Sequence, residues 1–195
     1  MNKEAKSGFT IFYSFLMAHS SLLSILSALL LILCFPNFNL GFLAWFALVP
    51  LMRAARRAPS PGRAALYGFC AGLIFFGISL HWMTYVAGAA WILLTPIEAS
   101  FFALFAWLIY KGRAISNFFL STLWIALAWA VVEFARAEIP VFGLGIHLLG
   151  YSQTSYEWIL QSANTIGAYG LSFVIALVNG ILLQVASYKN LQPVT

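Results

Sequence analysis

Apolar residues come in long blocks along this chain, separated by short polar islands. They do not recur every three or four positions, as on a surface helix, or alternate, as in a half-buried strand. A block that is apolar on every side needs an apolar solvent, and a helix needs about 20 such residues to cross a bilayer. Six blocks qualify, at 11–34, 38–52, 64–85, 96–110, 115–136 and 168–188, the second and fourth being short. The pattern predicts an all-α polytopic transmembrane bundle, one domain over 1–195, with a longer loop at 137–167. Phe35-Pro36-Asn37-Phe38-Asn39 supplies a tight turn after the first span, because Pro presets φ and Asn tolerates left-handed backbone.

Composition strengthens this reading. The chain is 63% hydrophobic and 8% charged, with mean hydropathy +0.92, whereas a soluble domain is about 45–50% apolar and about 25% charged. Charge then sets the orientation. The formal net charge is +5 and there is no Asp. Nucleic-acid binding is not indicated, because the cations form no basic face with interleaved aromatics. They cluster instead at block ends. With six spans and a cytoplasmic N-terminus, Lys3, Lys6, Arg53, Arg56, Arg57, Arg63, Lys111, Arg113 and Lys189 all face the cytoplasm, and Arg136 faces outward. That asymmetry is the positive-inside pattern of a polytopic membrane protein. Both termini are then cytoplasmic and the 137–167 loop faces out. Trp45, Trp82, Tyr85, Tyr110 and Trp158 lie near span ends, as interfacial anchors do.

The first block is too long for a signal-peptide core of about 7–15 residues. Leu31-Ile32-Leu33-Cys34 lacks the small residue of a lipoprotein cleavage site, so the block reads as an uncleaved span. Cys34 and Cys70 fall in different spans, toward opposite sides, with no metal-type spacing. They read as small buried apolar residues.

Several positions carry candidate chemistry or packing. Thr95-Pro96-Ile97-Glu98 has the order of a capping box with Pro at the first helical position. Capping accounts for Glu98; a proton carrier is the alternative. Gly68 and Gly72 form a small-xxx-small pair that lets helices approach. Trp129, Glu133 and Arg136 share one helical face, and Glu133 and Arg136 are spaced to pair with each other. That pair is either a structural ion pair or a site for an anionic head group. His81 reads as an interfacial residue, and His147 as a loop residue able to act as a base. Neither has a nucleophile with a supporting partner nearby. Ser152 lacks a Gly-x-Ser-x-Gly setting. No catalytic residue, metal ligand or cofactor site is assigned. Asn179 and Gln161 are polar groups expected to hydrogen-bond between helices.

The most distinctive stretch is a polar island, Leu148-Leu149-Gly150-Tyr151-Ser152-Gln153, followed by Gly167-Ala168-Tyr169-Gly170-Leu171-Ser172-Phe173. With the Phe35-Pro36 turn, Leu43-Ala44-Trp45-Phe46-Ala47-Leu48-Val49-Pro50-Leu51, the 68–77 segment leading to His81-Trp82, and the Trp129-x-x-x-Glu133-x-x-Arg136 spacing, it resembles the membrane domain of apolipoprotein N-acyltransferases. One departure is Gly143-Leu144-Gly145-Ile146-His147, where that family has Gly-Phe-Pro-Trp at the entrance near its active site.

The resemblance implies lipoprotein maturation: transfer of an acyl chain from membrane phospholipid to the N-terminal amine of a diacylated lipoprotein. In that family the reaction belongs to a nitrilase-like domain with a Glu-Lys-Cys triad, for which this chain has no matching positions. The chain is expected to be truncated or to work with a separately encoded catalytic half, and to transfer no acyl group alone. The expected substrate contacts are Trp129, Glu133, Arg136, Gly150, Tyr151, Ser152 and Gln153. Two other readings stay open: a non-catalytic membrane binding or scaffold protein that keeps the fold, and a small transporter. Against the transporter, no span is expected to have a central ionisable residue or a Gly- or Pro-broken midpoint.

Overall fold

A computed structural model describes the backbone of residues 3–139 and 143–189, and the side chains of 19–139 and 143–187. Among the described residues the chain is helical throughout, with no strand. The helices are α1 (Lys3–Cys34), α2 (Ala44–Ala47), α3 (Val49–Arg57), α4 (Pro61–Ser79), α5 (Thr84–Ala87), α6 (Ala90–Lys111), α7 (Phe118–Glu138), α8 (Glu157–Leu160) and α9 (Ala163–Lys189). Four stretches are long and apolar enough to cross a membrane: Pro61–Ser79, Ala90–Ala114, Phe118–Glu138 and Ala163–Ser187. The described apolar part of α1, His19–Cys34, is shorter.

Side-chain caps set two of the helix starts. Ser60 caps α4 by accepting from the Arg63 N–H, with Pro61 at the first position. Asn117 caps α7 by accepting from the Leu120 N–H. The Thr95–Glu98 capping box is not used. The helix begins at Ala90, so Thr95 and Pro96 lie inside it, and the Thr95 hydroxyl donates to the Trp91 carbonyl one turn back. The chain break falls earlier, at Gly88, whose φ of +56° and ψ of −127° exclude ordinary side chains.

The block at 38–52 is divided rather than one helix. A 3-10 turn (Gly41–Leu43) leads into α2, and α3 starts after Leu48 with Pro50 in its first turn. Asn179 of α9 bridges this break. Its Oδ1 accepts from the Leu48 N–H at 3.0 Å, and its Nδ2 donates to the Ala44 and Ile175 carbonyls at 2.9 Å. The interhelical bonding expected of Asn179 is thus present. The helix at the sixth block starts at Ala163 and kinks at Gly167, where φ is +70°.

The closest helix pair is α4 against α6. A Cβ at Gly68 would overlap the Phe102 carbonyl oxygen, and one at Gly72 would sit 2.7 Å from the Ala99 Cα. The two glycines therefore do what their spacing suggested. Around this pair Phe75, Phe76, Phe102, Phe105 and Trp129 form an aromatic layer with centroid spacings of 4.8–5.7 Å.

The bundle has two chemically distinct ends. At one, Arg56 of α3 donates to Gln184 of α9 and to Ser121 of α7, and Arg113 donates to the Ala58 carbonyl. This basic end also carries Arg53, Arg57, Arg63 and Lys111; the side chains of Lys3, Lys6 and Lys189 lie outside the described residues. Arg136, Glu98, Glu133 and the polar island are at the other end.

Candidate functional site

Arg136 sits in the last turn of α7 and is 3% exposed. Its Nη1 donates to Glu98 Oε2 and to the Leu144 carbonyl, both at 2.9 Å. Its Nη2 donates to the Ile146 carbonyl at 3.1 Å and the His147 carbonyl at 3.4 Å. The Phe76 ring lies 5.3 Å away. A planar fork that reaches one carboxylate and three carbonyls suits guanidinium and not ammonium. The expected Glu133–Arg136 ion pair does not form; Arg136 turns to Glu98 on α6, because the loop after α7 folds back and leaves Glu133 a different partner. Glu133 Oε1 accepts from the Leu149 N–H at 2.6 Å. Two α7 side chains, three positions apart, thus clasp the loop from 144 to 149 by its backbone.

The polar island forms a 3-10 helix, Leu149–Gln153, held by its own polar atoms. The Gly150 N–H donates to Ser172 Oγ at 2.8 Å, and a Cβ at Gly150 would lie 2.6 Å from the Ala168 carbonyl oxygen. Ser152 Oγ donates to the Leu149 carbonyl at 2.6 Å. Gln153 is fully buried: its Nε2 donates to the Gly41 carbonyl at 2.8 Å, and its Oε1 accepts from Trp45 at 3.2 Å. Gln153 therefore ties the island to the turn before α2. Tyr151, 44% exposed, is the island residue that faces outward.

Two cavities meet here. The inner one, about 20 Å³, is lined by Phe35, Phe75, Phe102, Trp129, Glu133 and Arg136, with His147 among its further walls. The outer cleft, about 700 Å³, is bounded by Phe38, Ile78, His81, Trp82, Tyr85 and Tyr151. Phe35 and His147 line both, with ring centroids 5.0 Å apart, and so partition the two spaces. Of the seven expected contact residues, the structure brings Trp129, Glu133 and Arg136 to the inner cavity and Tyr151 to the outer cleft. Gly150, Ser152 and Gln153 are buried beneath the cleft.

His147 has φ +55°, an uncommon left-handed conformation for a residue with a Cβ. Burial, and secondarily the nearby Arg136 charge, push its imidazole down to about 4, so it is neutral at physiological pH. Sequence reasoning missed Glu98 as the partner of Arg136. A lone carboxylate in an apolar block was its signal, since such a group needs a counterion. Among the described residues, no three His, Cys, Asp or Glu side chains group as metal ligands would.

Residues 27–181 match the family model for the apolipoprotein N-acyltransferase N-terminal domain. The chain belongs to that family. It is similar to the apolipoprotein N-acyltransferases of Geobacter metallireducens (34% identical, over 84% of this chain and 33% of the relative) and Methylococcus capsulatus (31%, over 83% and 34%). The protein of the same name from Chlorobaculum tepidum is 32% identical over 83% of this chain and 31% of its own length. The chain thus spans about a third of the length of these curated apolipoprotein N-acyltransferases. Both clasping residues, the island and the two cavities lie within the matched segment.

Proposed function

We propose that this chain is the membrane part of an apolipoprotein N-acyltransferase in a bacterial inner membrane. It crosses six times, with the basic end cytoplasmic and the Arg136 end facing out, as the positive-inside rule orients it. Its task is to gather the two lipid substrates, a phospholipid acyl donor and a diacylated lipoprotein, in the outer cleft. The acyl transfer itself is assigned to a nitrilase-like domain with a Glu-Lys-Cys triad, continuous with this chain or separate from it. The observation that carries this reading is the coincidence of the family match with a large cleft rimmed by exposed aromatics, Trp82 and Tyr85. Tyr151 is the island residue placed to touch substrate. Trp129, Glu133, Arg136, Gly150, Ser152 and Gln153 shape the cleft floor from below.

A chimera tests this. The corresponding segment of the Geobacter metallireducens protein is replaced by residues 27–181, and the chimera is expressed in cells depleted of their own enzyme. The expected result is growth, with triacylated lipoprotein N-termini by mass spectrometry. A chimera that is inserted and folded, yet leaves lipoproteins diacylated, overturns the proposal in favour of a non-catalytic role.

A further inference from the structure

Five buried side-chain polar atoms make no hydrogen bond among the described residues. One is Arg56 Nε, at the basic end. The other four are gathered at the opposite end: Glu98 Oε1, Trp129 Nε1, Glu133 Oε2 and His147 Nδ1. Trp129, Glu133 and His147 line the same inner cavity. Trp129 and Glu133 are 5% and 3% exposed, so bulk solvent does not satisfy them. The Ser172 hydroxyl and the Trp129 indole both lie against the Glu133 carboxyl, and Oε1 is bonded to the Leu149 N–H, yet Glu133 Oε2 and Trp129 Nε1 have no hydrogen bond of good geometry.

An orphaned buried donor or acceptor is rare in native proteins, and each one asks for a partner. Buried water is that partner where a polar cavity offers room for it and two to four polar contacts. Most of the lining here is apolar, Phe35, Phe75, Phe102 and Val132 among it, but three unpartnered polar atoms belong to its wall. The space left between these side chains admits a group about the size of one water. The donor and acceptor count also closes. The indole N–H is a donor only, the carboxylate oxygen an acceptor, and the imidazole Nδ1 an acceptor when the proton is on Nε2. One water can accept from Trp129 and donate to Glu133 and His147.

We propose that the inner cavity is a hydration site, holding one ordered water between Trp129 Nε1, Glu133 Oε2 and His147 Nδ1. The water joins α7 to the loop side by side with the direct bond from the Leu149 N–H to Glu133. It also gives a reason for the left-handed backbone at His147, which turns the imidazole into the cavity. This site stands whether or not the chain takes part in acyl transfer.

A structure of the full protein in lipid, at a resolution that shows ordered solvent, tests the site. One peak is expected within about 2.7–3.2 Å of at least two of the three atoms. A cavity without a peak, a direct Trp129–Glu133 hydrogen bond, or hydrocarbon density there overturns it. Trp129→Phe keeps an aromatic ring and deletes only the donor side, and the peak is expected to vanish. An unchanged peak in that variant overturns the assignment of the indole as a ligand. Should Trp129→Phe not fold, radiolytic hydroxyl labelling of the unaltered protein reads the same site. Water bound beside Trp129 produces oxidation of this buried indole, and its complete protection overturns the proposal.

Discussion

Arg136 and Glu98 lie 38 positions apart and meet at 2.9 Å with almost no exposure to solvent, 4% and 0% for the two side chains. Each supplies the counter-charge the other needs in an apolar bundle. The two terminal nitrogens of Arg136 also donate to the Leu144, Ile146 and His147 carbonyls, so the pair fixes both helix packing and loop path.

Removing one partner strands the other. Arg136→Met is expected to lower stability by about 3–5 kcal/mol, as for other broken buried ion pairs. The double variant Glu98→Gln with Arg136→Met is expected to lose less than the single one. Reversible unfolding in mixed micelles checks the order, and a double variant no better than the single one would show that the loop contacts dominate.

Glycine packing between α4 and α6 gives an internal comparison. Gly68→Ala places a methyl group against the Phe102 carbonyl oxygen, and overpacking of this kind costs about 1–3 kcal/mol. Gly62→Ala, on the same helix with nothing within 4 Å, is expected to be neutral or to stabilise by about 0.5–1 kcal/mol. Thermal unfolding of the two variants side by side should show a lowered midpoint for Gly68→Ala alone.

Acid should loosen the loop through His147. Its folded value near 4 lies below the ordinary 6.5, so the unfolded chain binds more protons between these limits. The stabilisation is therefore fully present above about pH 6.5 and is lost as pH falls toward 4. His147→Asn keeps a residue suited to left-handed backbone and removes the titration. Hydrogen exchange of residues 144–149 against pH is expected to steepen below 6.5 in the parent and to flatten in the variant.

Within the island, neighbours two positions apart should separate by phenotype. Gln153→Ala breaks bonds to Gly41 and Trp45 and is expected to lose about 1–3 kcal/mol of stability. Tyr151→Ala removes an exposed side chain and is expected to leave the unfolding midpoint unchanged while cutting N-acylation by the chimera at least several-fold. Unfolding and lipoprotein mass analysis, run on both variants, distinguish them. An active, fully functional Tyr151→Ala chimera would take this side chain out of the cleft's role.

Local features were the legible ones. Gly68 and Gly72 announced a close crossing because spacing along one helix is enough to show it. Asn179 announced an interhelical bond because an amide in an apolar block has few other options. The basic end was readable from where the cations stop each block. Partners far apart in the chain were not. Glu98 carried the correct motif for a capping box, and only the fold of the 144–149 loop reveals that its partner is Arg136. Gln153 reads in the sequence as a substrate contact, but its amide fits the Gly41 carbonyl 112 positions away. The start of α6 was misplaced because Pro96 is the stronger punctuation in sequence, while Gly88 is the position whose backbone breaks the chain.

The bond between Asn179 and Leu48 spans 131 positions. During synthesis from the N-terminus, the break between α2 and α3 therefore emerges long before the side chain that satisfies it. Until α9 is made, the Leu48 N–H and the Ala44 carbonyl must find temporary partners in water, lipid head groups or the insertion machinery. Helix α9 thus completes the second pass, and a ribosome halted before Asn179 would leave that pass unsettled in the bilayer.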